Sequence, residues 1–223
     1  MDPVPGTVYG TLLNYKGAMA ALGDAVNEAP YTEAPKGPIL YIKPVNTING
    51  HGSAIPLPED VEELEIGAAL GVVIGSTATR VSMDEALDYV AGYTVVNDVS
   101  VPHESVYRPA IKQKARDGFC PVGPWVIERD AVANPDSLSV KVWINGELKQ
   151  ENTTANLVRS VSRLIADVTE FMTLNAGDVL MVGVPEKAPL AKARDAVRIE
   201  IEGVGSLENT IVPEHETVFG GAL

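Results

Sequence analysis

The sequence predicts an α+β protein that is mostly β. Short runs of β-branched and apolar residues recur along the chain at strand length, whereas helical periodicity is evident at only two places. The chain has 223 residues, 45% of them hydrophobic, which is enough to bury one substantial core. The predicted strands cover residues 8–13, 39–43, 69–74, 93–96, 121–127, 138–144, 179–182, 197–201 and 210–212.

The run over residues 139–144 predicts a hairpin. Apolar and polar residues alternate in this run, and the dipeptide Asn145-Gly146 follows it directly. Asn-Gly favours a type I′ turn because both of its residues accept a positive φ. We therefore expect the chain to reverse at this dipeptide.

Two helices are predicted. The first begins at Ser82, where Glu85 completes a capping box, and ends at Gly92. The second runs from Leu157 to Met172, and its apolar side chains recur at three- and four-residue steps. This spacing places one apolar face against a sheet, so the second helix is expected to be structural.

Composition divides the chain into three parts. Residues 1–38 are predicted to form a small N-terminal lobe and its connection, because residues 23–38 contain three prolines among Ala, Glu and Gly. Residues 39–212 form the predicted main domain. Residues 213–223 have little periodicity and are predicted to be a tail.

Charge and composition exclude several classes of partner. The formal net charge of -13 would repel a phosphate backbone, and no apolar run reaches the roughly 18 residues of a membrane span. The N-terminus lacks the basic and apolar regions of a signal peptide. Cys120 is the only cysteine, which suits a reducing compartment, and it is expected to be a small buried hydrophobe. We expect no nucleic acid, no membrane and a cytoplasmic location.

Several segments resemble the fumarylacetoacetate hydrolase family in their residues, order and spacing. They are Asn14-Tyr15, Ile42-Lys43-Pro44, Leu70–Gly75, Tyr89–Tyr93, Asn97–Ser100, Lys114–Trp125, Ile144–Glu147 and Met172–Val179. The resemblance extends over nearly the whole chain. It implies the mixed β-sandwich roll with peripheral helices that members of this family share, usually as dimers.

The stretch Pro102–Lys112, followed by Arg116–Pro121, resembles an isomerase/decarboxylase subgroup of this family that serves aromatic-compound catabolism. The resemblance implies a lyase or isomerase that acts on a small-molecule 2-oxo carboxylate. It also implies a homodimer, or a heterodimer with a metal-bearing paralogous subunit. Two alternatives stay open, namely a non-catalytic partner subunit and a metal-free hydratase or hydrolase of another oxo acid.

The metal site of the family is incomplete in this sequence. In metal-binding relatives, a Glu-x-Glu pair at the start of a strand and an Asp after the next strand hold Mg²⁺ or Mn²⁺. Asp98 matches the Asp, but the two glutamates fall on Gly67 and Ala69. Glu63 and Glu65 precede them on the same strand face, yet the four-residue offset displaces their carboxylates by roughly 13 Å. We predict no metal ligand and name no cofactor.

The lid motif of the family is altered as well. Asn-Tyr-x-x-His-x-x-Glu, whose His and Glu activate water in the hydrolases, reads Asn14-Tyr15-Lys16-Gly17-Ala18-Met19-Ala20-Ala21 here. The Thr-Gly-Thr-Pro turn that lies near the substrate becomes Val182-Gly183-Val184-Pro185. Without a general base we do not expect hydrolysis of a C–C bond. His103, next to Glu104, is an alternative group for proton transfer.

A group of basic residues between positions 108 and 116 predicts an anion site. Arginine grips a carboxylate in bidentate fashion, lysine supplies a point charge, and both can stabilise a developing oxyanion. Lys114 matches a lysine that the family places in its active site. For Arg108 and Lys112, surface ion pairs with neighbouring acids are an equal alternative. The predicted catalytic residues are Lys114, Arg116 and Asp98, and the predicted substrate-binding residues are Arg108, Lys112, Gln150 and Lys43.

Overall fold

The structure of the chain is a computed structural model that describes residues 6–29, 32–103 and 109–217. The described residues form fourteen strands and three α-helices, joined by short 3₁₀ turns. The strands are β1 (Val8–Leu12), β2 (Ile39–Lys43), β3 (Ile48–Gly50), β4 (Ala54–Leu57), β5 (Leu64–Glu65), β6 (Ala68–Ile74), β7 (Val90–Asn97), β8 (Cys120–Glu128), β9 (Ser139–Ile144), β10 (Glu147–Thr153), β11 (Val179–Met181), β12 (Leu190–Ala191), β13 (Ala196–Ile201) and β14 (Gly205–Pro213). The α-helices are α1 (Lys16–Ala21), α2 (Ile111–Lys114) and α3 (Val161–Thr169).

The larger sheet has seven strands in the order β2-β1-β11-β6-β7-β8-β3 and curls into a roll. Its two edge strands follow each other in sequence, with only residues 44–47 between them. In a flat sheet of seven strands the edges would be roughly 29 Å apart. The five steps from Lys43 to Ile48 reach roughly 18 Å at most. The sheet must therefore curl until β2 approaches β3, which brings side chains of β2 towards the end of β7.

Apolar side chains fill the inside of the roll. All seven residues of β6 are buried, as expected for a strand with both faces covered. The residues that pack inside the roll are Val8, Ala69, Val73, Val96, Cys120, Val122, Val179 and Met181. Burial raises the pKa of the Cys120 thiol to about 12, so this cysteine is the inert, buried residue that the sequence predicts.

A second sheet, in the order β10-β9-β13-β14-β4, covers the roll. Apolar residues of both sheets, together with α3, form the main core. The predicted hairpin is confirmed, because β9 and β10 pair in antiparallel fashion across Asn145 and Gly146, whose φ angles are 52° and 79°. Each of the nine predicted runs overlaps a strand, so the mostly β fold class is confirmed.

The predicted helix from Ser82 to Gly92 is wrong. Residues Ala86–Tyr89 form one 3₁₀ turn, and β7 begins at Val90. The hydroxyl of Ser82 donates to the carboxylate of Glu85 instead of accepting from a backbone N–H, so the expected capping box is absent. Pairing of β7 with both β6 and β8 outweighs the local helical pattern.

The second predicted helix is confirmed as α3, but it is shorter than predicted. It begins after Ser160, whose Oγ accepts from the backbone N–H of Arg163 at 3.2 Å. Leu164, Ile165 and Val168 are buried against the core, as the apolar spacing predicts. None of the helices in the described part of the chain combines the length and apolar character needed to cross a membrane.

The N-terminal part shares the larger sheet. β1 lies between β2 and β11, so residues 8–12 are an inner part of the roll. β14 extends to Pro213, and one 3₁₀ turn, Glu214–Glu216, follows it. The predicted domain boundaries at residues 38 and 212 stay predictions.

Candidate active site

A buried ion cluster lies at the end of β7. Asp98 directly follows β7, Lys43 is the last residue of β2, and Lys114 ends α2. Lys43 Nζ is 3.0 Å from Asp98 Oδ1, and Lys114 Nζ is 2.7 Å from Asp98 Oδ2. Lys43 and Asp98 are 2% and 1% exposed, whereas the Lys114 side chain keeps 15% of its surface accessible. Three of the predicted site residues are thus brought together by the curl of the sheet.

Tyr41 completes this cluster, and the sequence analysis did not single it out. Its hydroxyl donates to Asp98 Oδ2, and its ring lies 5.4 Å from Lys114 Nζ. Tyr41 and Lys43 are two residues apart in β2 and therefore share one strand face. Opposite Tyr41 in β1 stands Gly10, and any side chain there would overlap the tyrosine ring.

The cluster holds Asp98 in its charged form. Burial alone would raise the pKa of Asp98, but the ammonium groups of Lys114 and Lys43 and the hydrogen bonds from Lys114 and Tyr41 outweigh it. The pKa of Asp98 is therefore well below its ordinary value. Two lysine side chains thus face one carboxylate in a region with little access to water.

Lys43 also links β2 to α2. Its Nζ donates to the backbone carbonyl of Lys114 at 2.7 Å. Lys43 therefore positions both Asp98 and the end of the helix that carries Lys114. Nearby, burial raises the pKa of Glu65, although the positive charges of Lys114 and His103 oppose this shift.

A cavity of about 460 Å³ adjoins Lys114 and Tyr41. Its wall is mostly apolar, and His103 and Lys114 provide the polar groups. Such a wall suits a small organic acid whose carbon chain contacts the apolar side chains while a charged oxygen meets the ammonium group. The remaining wall residues are Leu12, Ile39, Leu40, Ile42, Pro44, Pro109, Ala110, Ile111 and Ala115.

The residues at this site do not fit a divalent metal ion of the kind the family implies. A Cβ on Gly67 would overlap the carbonyl oxygen of Asp98 and would lie 3.1 Å from Val184 Cγ2, so this backbone has no space for a glutamate there. Lys43, Lys114 and Tyr41 surround the carboxylate of Asp98. No group of three or more His, Cys, Asp or Glu side chains with metal-site geometry exists among the described residues.

A second polar cluster surrounds Glu186. Gln150 Nε2 donates to the Glu186 carbonyl at 2.7 Å, and Asn152 Nδ2 lies 3.4 Å from Glu186 Oε1. Burial, followed by the charge of Glu186, raises the pKa of Tyr15. Within the described residues, three buried atoms of this cluster have no hydrogen-bond partner, namely Tyr15 Oη, Gln150 Oε1 and Glu186 Oε2.

The other predicted site residues have different surroundings. Lys112 is exposed on α2, and Arg116 Nε donates to the Lys112 carbonyl at 2.9 Å. Gln150 belongs to the Glu186 cluster. Arg108 lies outside the described residues. The predicted roles of all seven residues stay predictions, namely the catalytic roles of Lys114, Arg116 and Asp98 and the substrate-binding roles of Arg108, Lys112, Gln150 and Lys43.

Comparison with known proteins places this geometry in a family. The sequence profile described as Fumarylacetoacetate (FAA) hydrolase C-terminal matches residues 7–212. The chain belongs to the fumarylacetoacetate hydrolase family. The fold of the described residues agrees, since solved structures of family members superpose on it closely.

Among curated relatives of this family member, the 4-hydroxyphenylacetate degradation bifunctional isomerase/decarboxylase of Escherichia coli is 41% identical over 211 residues, which are 95% of this chain and 48% of that protein. The chain spans about half the length of the curated isomerase/decarboxylases that it matches. The solved 5-carboxymethyl-2-hydroxymuconate delta-isomerase from Mycobacterium smegmatis has a TM-score of 0.79 at 30% identity, over 93% of this chain and 78% of that one. The solved 2-hydroxyhepta-2,4-diene-1,7-dioate isomerase from Mycobacterium marinum has a TM-score of 0.78 at 29% identity, over 94% of this chain and 75% of that one.

Proposed function

We propose that this chain is a subunit of the isomerase/decarboxylase of 4-hydroxyphenylacetate (homoprotocatechuate) catabolism. It would decarboxylate 5-carboxymethyl-2-oxo-hex-3-ene-1,7-dioate, isomerise 2-hydroxyhepta-2,4-diene-1,7-dioate, or do both. The buried cluster of Lys43, Asp98 and Lys114 beside the cavity carries this proposal. The 41% identity to a bifunctional isomerase/decarboxylase supports it. The proposed location is the cytoplasm, where a chain with one cysteine needs no disulfide.

Both reactions develop negative charge on the oxygen at C2 of the substrate. In decarboxylation, the electron pair of the broken C–C bond moves through the C=C bond onto the 2-oxo group. In isomerisation, loss of the enol proton produces a dienolate. A positively charged group that is already in place, in a site with little water, stabilises such an oxyanion.

Lys114 is the proposed oxyanion-binding group, because it is the ammonium of the cluster that borders the cavity. The side chain of Lys43 is fully buried, and it positions Lys114 by donating a hydrogen bond to the backbone carbonyl of Lys114. We keep Arg116 as a further proposed catalytic cation, and Arg108, Lys112 and Gln150 as proposed contacts for the distal carboxylates of the substrate.

A second candidate function is a non-catalytic subunit that pairs with a metal-bearing paralogue. The backbone at Gly67 and the enclosed carboxylate of Asp98 favour it, because both oppose metal binding in this chain. The chain spans 48% of these curated relatives, and the proposed partner is a protein that resembles the part of them that the chain does not match. A homodimer is the alternative assembly.

Lys114→Met tests the catalytic proposal, with Lys192→Met as the matched control, because the Lys192 side chain is 71% exposed. We expect Lys114→Met to lower kcat for the isomerisation by about 10²- to 10³-fold, the loss typical for one oxyanion-stabilising group. Lys192→Met should change kcat by less than threefold. Equal activity of the wild type and Lys114→Met would contradict the role of Lys114, and activity only after a paralogous subunit is added would support the non-catalytic role.

A further inference from the structure

The carboxyl group of Glu186 occupies space that Gly17 leaves open in α1, the helix that carries the altered lid motif. Any side chain at Gly17, in the first turn of α1, would overlap the carboxyl carbon and both carboxyl oxygens of Glu186. The glycine therefore admits a carboxylate from a distant segment. Lysine, alanine and methionine surround Gly17 in the sequence, so the His and Glu of the family's lid motif have no counterpart in this segment.

The carboxylate of Glu186 and two side chains near it carry unpaired polar atoms. Tyr15 Oη, Gln150 Oε1 and Glu186 Oε2 are buried without hydrogen-bond partners in the described part of the chain. Tyr15 is 0% exposed and Gln150 is 9% exposed, so leaving their polar atoms unpaired is costly. An ordered water or a ligand can supply the partner that such buried groups require.

The Glu186 cluster adjoins the Asp98 cluster through Val184. Val184 Cγ2 is 3.1 Å from the position that a Cβ on Gly67 would take, and the carbonyl of Gly67 accepts from the backbone N–H of Asp98 at 2.8 Å. Glu186 follows Val184 by two residues, which is roughly 7 Å of extended chain. In the proposed binding mode, the C2 oxygen of a substrate several carbon atoms long lies at Lys114 and its other end lies near Glu186.

We propose that Glu186 is the acid–base group of this site, in place of the His and Glu of the lid motif that serve the hydrolases. The inference rests on the proposed isomerase function. The enol hydroxyl at C2, beside Lys114, loses its proton to solvent, and the O–H electron pair forms C2=O. The C2=C3 pair moves to C3=C4, and the C4=C5 pair takes a proton at C5 from the carboxyl group of Glu186, which solvent then protonates again. One proton leaves oxygen and one arrives at carbon, so no other reactant is needed.

Tyr15 and Gln150 have supporting positions in this scheme. The raised pKa of Tyr15 keeps its hydroxyl protonated and able to donate to the substrate. Gln150 fixes the backbone at Glu186 through the 2.7 Å hydrogen bond to its carbonyl. α1 buries no side chain completely, so few contacts hold the helix over the carboxylate and substrate can enter beneath it.

The test compares isomerisation by two pairs of variants of the full chain. Glu186→Gln should lower kcat by about 10²- to 10⁴-fold with KM changed less than threefold. The pH dependence that an ionising carboxyl group gives to kcat should be absent from the residual rate. Added formate should restore part of the activity of Glu186→Ala. Glu170→Gln, an exposed glutamate after α3, is the control and should match the wild type.

Gly17→Ala tests the same carboxylate without changing it chemically. The added methyl group displaces the end of a flexible side chain, so the fold should tolerate it while kcat falls at least tenfold. Gly37→Ala is the matched control, because a Cβ on Gly37 meets nothing within 4 Å. Full activity of Glu186→Gln in an assay where the wild type is active and Lys114→Met is not would overturn the role of Glu186 alone. No isomerisation by the wild type, alone or with a paralogous subunit, would overturn the proposed function and this inference together.

Discussion

Asp98 is the centre of the buried ion cluster and contacts Lys43, Lys114 and Tyr41. It is buried between two ammonium groups, and its carboxylate neutralises one of their two charges. A buried pair of charges contributes little net stability compared with apolar residues, but removing one partner leaves the other charge without compensation. The residues of this cluster are therefore coupled.

Asp98→Asn should lower the free energy of unfolding by about 3–5 kcal/mol, because Lys43 and Lys114 then face each other without a counter-charge. Urea denaturation at neutral pH measures the change. Asp117→Asn, an exposed residue that bonds Asn46, is the control and should lose less than about 1 kcal/mol. A loss below about 1 kcal/mol for Asp98→Asn would contradict the buried cluster.

The same contacts predict how stability depends on pH. The folded pKa of Asp98 is below its ordinary value of 3.8, so the carboxylate contributes its full stability above that value. The contribution decreases as the pH falls from there towards the folded pKa. Between pH 6 and pH 3 the wild type should thus lose more stability than Asp98→Asn, in which this group no longer titrates.

At the scale of the element, the residue just before β6 distinguishes this chain from metal-binding members of the family. Gly67 precedes β6 and lies against the backbone of Asp98, which allows the end of β7 to approach closely. A larger residue requires the backbone to move. The difference from the family pattern is therefore one of shape as well as one of missing carboxylates.

Gly67→Ala should lower the free energy of unfolding by about 1–3 kcal/mol, as overpacking against a fixed backbone does. Gly50→Ala in β3 is the control, since a Cβ there makes only an ordinary contact at 3.7 Å. The double variant Gly67→Glu with Ala69→Glu should fail to bind Mn²⁺ in calorimetry. Tight, stoichiometric Mn²⁺ binding by a stably folded double variant would show that this backbone adapts to a metal site.

The sequence predicts elements whose signals are local. The β-branched runs locate the strands of both sheets, and Asn145-Gly146 locates the hairpin. The pattern at Ser82 misleads because Val90 to Gly92 gain more from pairing with neighbouring strands than from extending a helix. The two-residue strands β5 and β12 are too short to show any periodicity.

The candidate site was predictable only in part. Lys43, Asp98 and Lys114 belong to motifs that resemble those of the family. Tyr41 could have been inferred from its position two residues before Lys43 on the same strand face. Glu186 had no such signal, because its contacts with Gly17 and Gln150 join segments that are far apart in sequence.

At the scale of the whole molecule, closure of the roll produces the site. The short connection from β2 to β3 forces the sheet to curl, and the curl places Tyr41 and Lys43 beside Asp98. The result is a buried cluster of two lysines and one aspartate in a chain with a net charge of -13. We propose that these lysines supply the positive charge that a divalent ion supplies in metal-binding members of the family.

The claim that lysines of the chain do the work of a divalent ion has one most direct test. It is isomerisation by the purified chain alone, measured before and after exhaustive treatment with a chelator. We predict that kcat and KM for 2-hydroxyhepta-2,4-diene-1,7-dioate stay within twofold of their starting values, and that added Mg²⁺ or Mn²⁺ changes neither. Loss of activity on chelation, with recovery when either ion is returned, would contradict it.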